Sequence, residues 1–181
     1  MTKQKIKKLS GTLKIVGDKS ISHRALILSS ISIGKSEITN LLESEDVLST
    51  VNILISLGVK IKKEGKKWIV KGNGTNGFIQ PKKALDSGNS GTTIRLMLGA
   101  VSTNPIYCTF IGDNSLSKRP MRRVTDYLEK IGCKVNLTNK EYLPLTIQGS
   151  QTSLPLTHKI SKPSAQVKSA LMLAALNING K

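Results

Sequence analysis

Two apolar patterns recur along this chain. In "TVNILISLGVKIKKEGKKWIVKG" (50–72) and "RVTDYLEKIGCKVNLTNKEYLPLTIQG" (123–149), a helical spacing of apolar residues runs to Gly58 or Gly132. A glycine just past a helix end supplies the left-handed residue that such ends favour. Alternation with lysine follows and predicts a strand, then a polar turn and a second strand closing at Gly72 or Gly149. A second pattern precedes each copy and appears a third time: "SISHRALILSSI" from Ser20, "SGTTIRLMLGAV" from Ser90 and "SAQVKSALMLAAL" from Ser164. Each opens with serine, sets a cation four or five positions on (Arg24, Arg95, Lys168), and continues into an apolar helix. The period is about 70 to 77 residues, too long for a solenoid and suited to a few supersecondary units about an axis.

One unit reads as helix, strand, helix, strand, strand. In the first copy the helices are expected at about 20–32 and 45–57, and the strands near 35–40, 59–64 and 67–71. Ser44 followed by Glu45 and Asp46 makes a good helix start, and Pro120 suits the first position of the helix that follows it. The second unit runs from about 89 to 149. The third shows only its opening helix, which on the repeat's own period leaves roughly 50 residues missing and predicts a fragment of a longer chain.

The serine motifs raise the question of chemistry. "LDSGNSGTTIRLMLG" (85–99) places small residues and exposed amides immediately before a helix, with Arg95 on its first turns. Free N–H groups and the helix dipole there favour an anion, and Gly88 and Gly91 would let it approach the backbone. A Gly-rich turn with an Asn or Ser cap would account for this stretch equally well. "GDKSISHR" (17–24) sets Lys19, Ser20 and Arg24 at a second helix start, suited to phosphate or carboxylate. His23, between Ser22 and Arg24, is expected to face a neighbouring loop and not to act as a base. "GDNSLSKRPMRR" (112–123) puts Arg119 before a proline, which forces it out of helical geometry and frees its side chain to enter a cleft. Arg122 and Arg123 are expected on a solvated helix face. Asp18, Asp86 and Asp113 each precede one of these loops and read as turn or capping residues. Gly34-Lys35-Ser36 imitates the tail of a phosphate-binding loop but lacks its first glycine and leads into a strand.

Composition narrows the field. The chain has 181 residues and a net charge of +17, which admits a basic nucleic-acid-binding module as an alternative. Its 23 lysines are scattered, whereas its five arginines fall within the three segments just described. The six aromatic residues are dispersed and offer no stacking platform. No apolar run is long enough to span a bilayer, and the N-terminus lacks a secretory h-region. Cys108 and Cys133 sit singly, as reduced core thiols would in a cytoplasmic protein.

Taken together, "GDKSISHRALILSSI", "LDSGNSGTTIRLMLG", "GDNSLSKRPMRRV" and "SAQVKSALMLAAL" resemble the 5-enolpyruvylshikimate-3-phosphate synthase family, the 3-phosphoshikimate 1-carboxyvinyltransferases, in order and spacing over essentially the whole chain. The family enzyme is more than twice this long, so the resemblance is to its N-terminal portion. It implies an α/β (α+β) fold: an enolpyruvyl-transferase-like inside-out barrel of repeated βαβαββ units, with buried helices and outward-facing sheets, here truncated in the third unit. Residues 1–17 would be a strand segment of the second domain, and 18–181 the first domain, with units at about 18–75, 84–150 and 154–181.

The reaction so implied moves the enolpyruvyl group of phosphoenolpyruvate to the 5-hydroxyl of shikimate 3-phosphate through a tetrahedral intermediate that loses phosphate. It belongs to the shikimate pathway of aromatic amino acid biosynthesis and needs no metal or organic cofactor. By the resemblance, Lys19, Ser20, Arg24, Ser164, Ala165 and Gln166 contact shikimate 3-phosphate. Lys19, Gly91, Arg119 and Gln166 contact phosphoenolpyruvate, while Asn89, Thr92 and Arg95 support the loop. The catalytic carboxylates and further cations belong to the family's C-terminal part, so this chain alone is expected to bind without turnover. The full-length enzyme is expected to be a cytoplasmic monomer with no nucleic-acid or membrane partner. Leu96 and Ala165 depart from the family pattern, where proline and a second serine are common. The sister family, the UDP-N-acetylglucosamine enolpyruvyl transferases, usually carries a reactive cysteine in the loop matching 112–120, and this loop has none.

Overall fold

The structure is a computed structural model that describes residues 10–160 and 163–180. Helix α1 spans Lys19–Ile31 and opens where Asp18 accepts the Ile21 amide at 2.7 Å. Strand β1 (Ile33–Thr39) follows, then α2 (Glu45–Ser56), β2 (Lys60–Glu64) and β3 (Lys67–Asn73). The strands form an antiparallel sheet ordered β1-β3-β2. The alternation seen in sequence sets its two faces. Trp68 and Val70 turn toward the helices and join the core, while Lys35, Lys62 and Lys71 stay exposed.

The second unit repeats this order and adds a strand in front. Strand β4 (Leu85–Asp86) pairs parallel with β5 (Tyr107–Ile111), and β5 and β6 (Lys134–Thr138) flank β7 (Tyr142–Gln148) antiparallel. Helix α3 (Gly91–Val101) lies deepest: Ile94, Leu96, Met97, Leu98, Ala100 and Val101 are all buried. A single 3-10 turn (Leu116–Lys118) precedes α4 (Arg122–Lys130), and α5 (Ala165–Ala175) packs on α3. Helices inside and sheets outside are the arrangement the resemblance implies.

Several details differ from the sequence reading. Gly58 and Gly132 do follow the caps of α2 and α4, at φ of 89° and 108°. Pro120, however, stands outside α4, whose cap is Met121 and whose first residue is Arg122. The backbone spends Ser115 to Arg119 on the 3-10 turn and an extended Arg119 (φ −93°, ψ 131°), so the helix begins later. The two-residue β4 lies in a stretch too short to show a period of its own. Of the strand segment expected at 1–17, residues 1–9 lie outside the described residues, and 10–17 carry no strand. Among the described residues after 154, α5 is the sole regular element.

Candidate functional site

The starts of α1, α2, α3 and α5 are joined by side chains into one network. Lys19, on the first turn of α1, pairs with Asp46 on the first turn of α2. Ser20 beside it is exposed, and its carbonyl accepts from Arg24 Nη1 at 3.0 Å. The other arm of Arg24 reaches α5, donating to Ser169 Oγ at 2.7 Å. Asp18 is the cap of this helix, as expected, which leaves the Ser20 hydroxyl free of that duty.

Helix α3 begins at Ser90, whose Oγ accepts the Thr93 amide at 3.1 Å. Gly91 is buried beneath two guanidinium groups: a Cβ there would lie 2.7 Å from Arg95 Nη1 and 3.4 Å from Arg119 Nη1. Arg95 ties three segments together. It donates to the Gly91 carbonyl at 3.3 Å, to Gln166 Oε1 at 2.9 Å and to the Pro120 carbonyl at 3.4 Å. Gln166 completes the clasp by donating to Thr92 Oγ1 at 2.9 Å. Arg119 donates to Asn89 Oδ1 at 2.7 Å and to Ser115 Oγ at 3.1 Å. Asn89 in turn donates to Asp113 at 2.6 Å, and Asp113 also takes the Leu116 amide at 2.7 Å. Those two bonds hold the Asp113 carboxyl below its usual pKa. Asp86 accepts the Gly88 amide at 2.8 Å, a turn bond of the kind expected.

The cations are crowded. Burial first, then the charges of Arg123 and Arg119, lower the pKa of Arg95. Arg122 lies on the solvated face, bridging Asp126 and the Lys140 carbonyl. Arg123 beside it on α4 is exposed as well, as expected. Lys168 lines a separate apolar hollow of about 340 Å³ with Leu156, His158 and Leu171.

On α5, Ser164 caps the helix and accepts the Val167 amide at 3.4 Å, which leaves its hydroxyl proton for a ligand. Ala165 is exposed on the first turn, where only its backbone can serve. A hollow of about 830 Å³ opens elsewhere, among Lys35, Lys60, Lys71 and neighbouring residues of the first sheet, and shares none of these side chains. The joined helix starts lie apart from it, with Lys19, Ser20 and Ala165 exposed to solvent. Among the described residues, no group of three or more His, Cys, Asp or Glu side chains is placed to hold a metal.

His23 is not directed at a loop. It is fully buried, and its Nδ1 lies 2.8 Å from Thr50 Oγ1 on α2. Burial brings its pKa down to about 4; Asp46 opposes the shift, and Lys19 and Arg24 add to it. Asp46, Thr50 and Ser169 are the participants that the sequence did not reveal. Only Asp46 carried a signal, and it was one of helix capping. Burial likewise raises the thiol of Cys108 to about 12 and that of Cys133 to about 11, as inert core residues.

Residues 3–181 match the family described as EPSP synthase (3-phosphoshikimate 1-carboxyvinyltransferase). Relatives bearing the name 3-phosphoshikimate 1-carboxyvinyltransferase include one from Paracoccus denitrificans, 48% identical over all of this chain and 41% of its own length. One from Bradyrhizobium is 51% identical over 95% of this chain and 39% of its own. The EPSP synthase structure from Acinetobacter baumannii superposes with a TM-score of 0.89 at 37% identity, covering 94% of this chain and 39% of that one. The chain thus spans about two fifths of the length of the relatives it matches. With that agreement in sequence and fold, the chain belongs to the EPSP synthase family.

Proposed function

We propose that this chain supplies the anion-reading face on which phosphoenolpyruvate and shikimate 3-phosphate meet, for transfer of the enolpyruvyl group to the 5-hydroxyl with release of phosphate. One observation carries the reading: four helix starts and the cations Lys19, Arg24, Arg95 and Arg119 are bonded into a single network. Nothing in core packing calls for such a concentration of fixed positive charge, whereas two phosphorylated substrates do. Each charge-assisted hydrogen bond contributes about 1.5 to 3 kcal/mol.

Lys19, Ser20, Arg24, Ser164, Ala165 and Gln166 hold shikimate 3-phosphate, with the amides of the α1 and α5 starts adding their dipoles. Lys19, Gly91, Arg119 and Gln166 hold phosphoenolpyruvate. Asn89 aims Arg119, and Arg95 with Thr92 aims Gln166. The substrates displace internal partners, since Arg119 now rests on Asn89 and Lys19 on Asp46. That exchange keeps the cations in place before binding, which lowers the ordering cost.

Proton transfer is not assigned to these residues. The network's carboxylates are already engaged: Asp46 by Lys19, and Asp113 by Asn89 and the Leu116 amide. We therefore assign binding to this chain and turnover to the enzyme completed by the remaining length of its relatives, acting in the cytoplasm as a monomer. Calorimetric titration of the chain with shikimate 3-phosphate, beside shikimate, inorganic phosphate and a short DNA duplex, tests this. Saturable binding of the phosphate ester, at least tenfold tighter than either shikimate or phosphate, is the expected result. Binding of DNA alone, weakening steeply with salt, would overturn it.

A further inference from the structure

A chain of hydroxyls runs behind the anion face, and His23 stands at its head. Thr50 Oγ1 lies 2.8 Å from His23 Nδ1 and 2.8 Å from Thr93 Oγ1. Thr93 Oγ1 donates to the Asp46 carbonyl at 3.0 Å and lies 2.8 Å from Ser90 Oγ. All four side chains, His23, Thr50, Ser90 and Thr93, are buried.

The direction of the protons follows from counting donors. Thr93 has one hydroxyl proton and two acceptors for it, the Asp46 carbonyl at 3.0 Å and Ser90 Oγ at 2.8 Å; given to either, it points away from Thr50. Thr93 then accepts from Thr50, whose own oxygen is left to accept from His23. The imidazole must carry its proton on Nδ1. Its Nε2 is buried without a partner, and there a bare lone pair costs less than a stranded N–H, since buried donors are rarely left orphaned. The sequence Nδ1–H, Thr50, Thr93, and on to the Asp46 carbonyl or Ser90 Oγ, is then satisfied throughout.

This chain connects the helix starts through their interiors. His23 belongs to α1, Thr50 and Asp46 to α2, and Thr93 and its cap Ser90 to α3. Asp46 carries the carboxylate that holds Lys19, and Ser90 precedes Gly91. We infer that His23 is a positioning residue: as the terminal donor of this relay it sets the spacing of the α1, α2 and α3 starts, and so the affinity of the face for a phosphate ester. The inference rests on the proposed reading of that face.

Three variants separate this role from filling space. His23→Leu removes the donor, Thr50→Val cuts the relay with little change of volume, and His23→Asn keeps a donor near the Nδ1 position. Each is titrated with shikimate 3-phosphate at a temperature where circular dichroism shows it folded. The expected result is an affinity about tenfold weaker for His23→Leu and Thr50→Val, with His23→Asn within about threefold of the parent. Parental affinity in the Leu and Val variants, or equal loss in Asn and Leu, overturns the inference.

Two readouts need no ligand, so the relay is decided even if the parent chain fails to bind shikimate 3-phosphate and the reading of the face falls. The 15N spectrum of His23 must show the proton on Nδ1; a proton on Nε2 overturns the relay. Hydrogen exchange at the Thr93 amide must accelerate in His23→Leu while the β6–β7 amides keep their protection. Unchanged exchange at Thr93 overturns it as well.

Discussion

Gly91 lies beneath Arg95 and Arg119 in the proposed anion-binding face. The groups that would meet an added methyl there are the ends of two flexible arginines, not backbone, so the fold can yield where the site cannot. Alanine is also the better helix former, by up to about 1 kcal/mol. Gly91→Ala is therefore expected to leave the melting temperature unchanged or slightly raised. Displacing Arg95 or Arg119 loses one charge-assisted contact, so phosphoenolpyruvate should bind about tenfold more weakly. A melting temperature that falls while affinity holds would show that the glycine serves the fold alone. His23 gives a second prediction, with a definite sign. Its pKa is depressed from 6.5 to about 4, so the unfolded chain takes up a proton first as pH falls. The stability it contributes is whole above pH 6.5 and drains away toward pH 4, by on the order of 2 kcal/mol between 6.5 and 4.5. Glu37, held down to about 2 by Lys35 and Lys67, begins to matter only below its ordinary 4.5. Urea unfolding at pH 6.5 and 4.5 checks this. An equal change in the parent and in His23→Leu would remove His23 from the account.

At the scale of elements, α3 and α5 meet in close contact. A Cβ on Gly99 would collide with the backbone carbonyl of Ala170, and backbone cannot swing aside as the arginines at Gly91 can. Gly99→Ala must move one helix, at a cost of about 1 to 3 kcal/mol. The Arg95–Gln166 bond crosses the same helix pair, so both the urea midpoint and phosphoenolpyruvate affinity should fall; an unchanged midpoint would mean that α5 has slack. The contrast with Gly91 also marks what could be read in advance. Element order and most boundaries followed from local rules: the α2 boundaries from the Ser44 cap and Gly58, and β2 and β3 from alternation about a polar turn. What escaped depended on distant residues. Strand β4 exists because β5, more than twenty positions on, supplies its partners. The late start of α4 depends on how the Asp113 turn is spent. Lys19, Arg24, Gly91, Arg95 and Arg119 were legible as candidates, because helix starts with small residues and a cation are local motifs. Their partners Asp46 and Ser169 were not, because a bond such as Arg24–Ser169 spans 145 positions.

The whole molecule sets two electrostatic effects against each other. Among the described residues there are six ion pairs, and all have exposed or half-exposed partners. Each such pair contributes about 0 to 1 kcal/mol and weakens with salt. A net charge of +17 acts the other way, since self-repulsion destabilises the compact chain and salt relieves it. With 28 cationic side chains against 11 anionic ones, repulsion outnumbers pairing, so added sodium chloride should raise the melting temperature. The anion face should respond oppositely. On the proposed reading its cations attract a phosphorylated substrate over distances comparable with the Debye length of about 10 Å at 0.1 M, so shikimate 3-phosphate affinity should fall over the same range. Melting curves and titrations between 20 and about 200 mM salt would show the two trends diverging. A melting temperature that fell together with affinity would mean that the surface pairs, and not the excess charge, govern stability. Parallel rises in both would mean that the substrate is held mainly by uncharged contacts. The cations of the network would then be structural clamps on the helix starts, and the binding reading of Arg24 and Arg119 would fall with them.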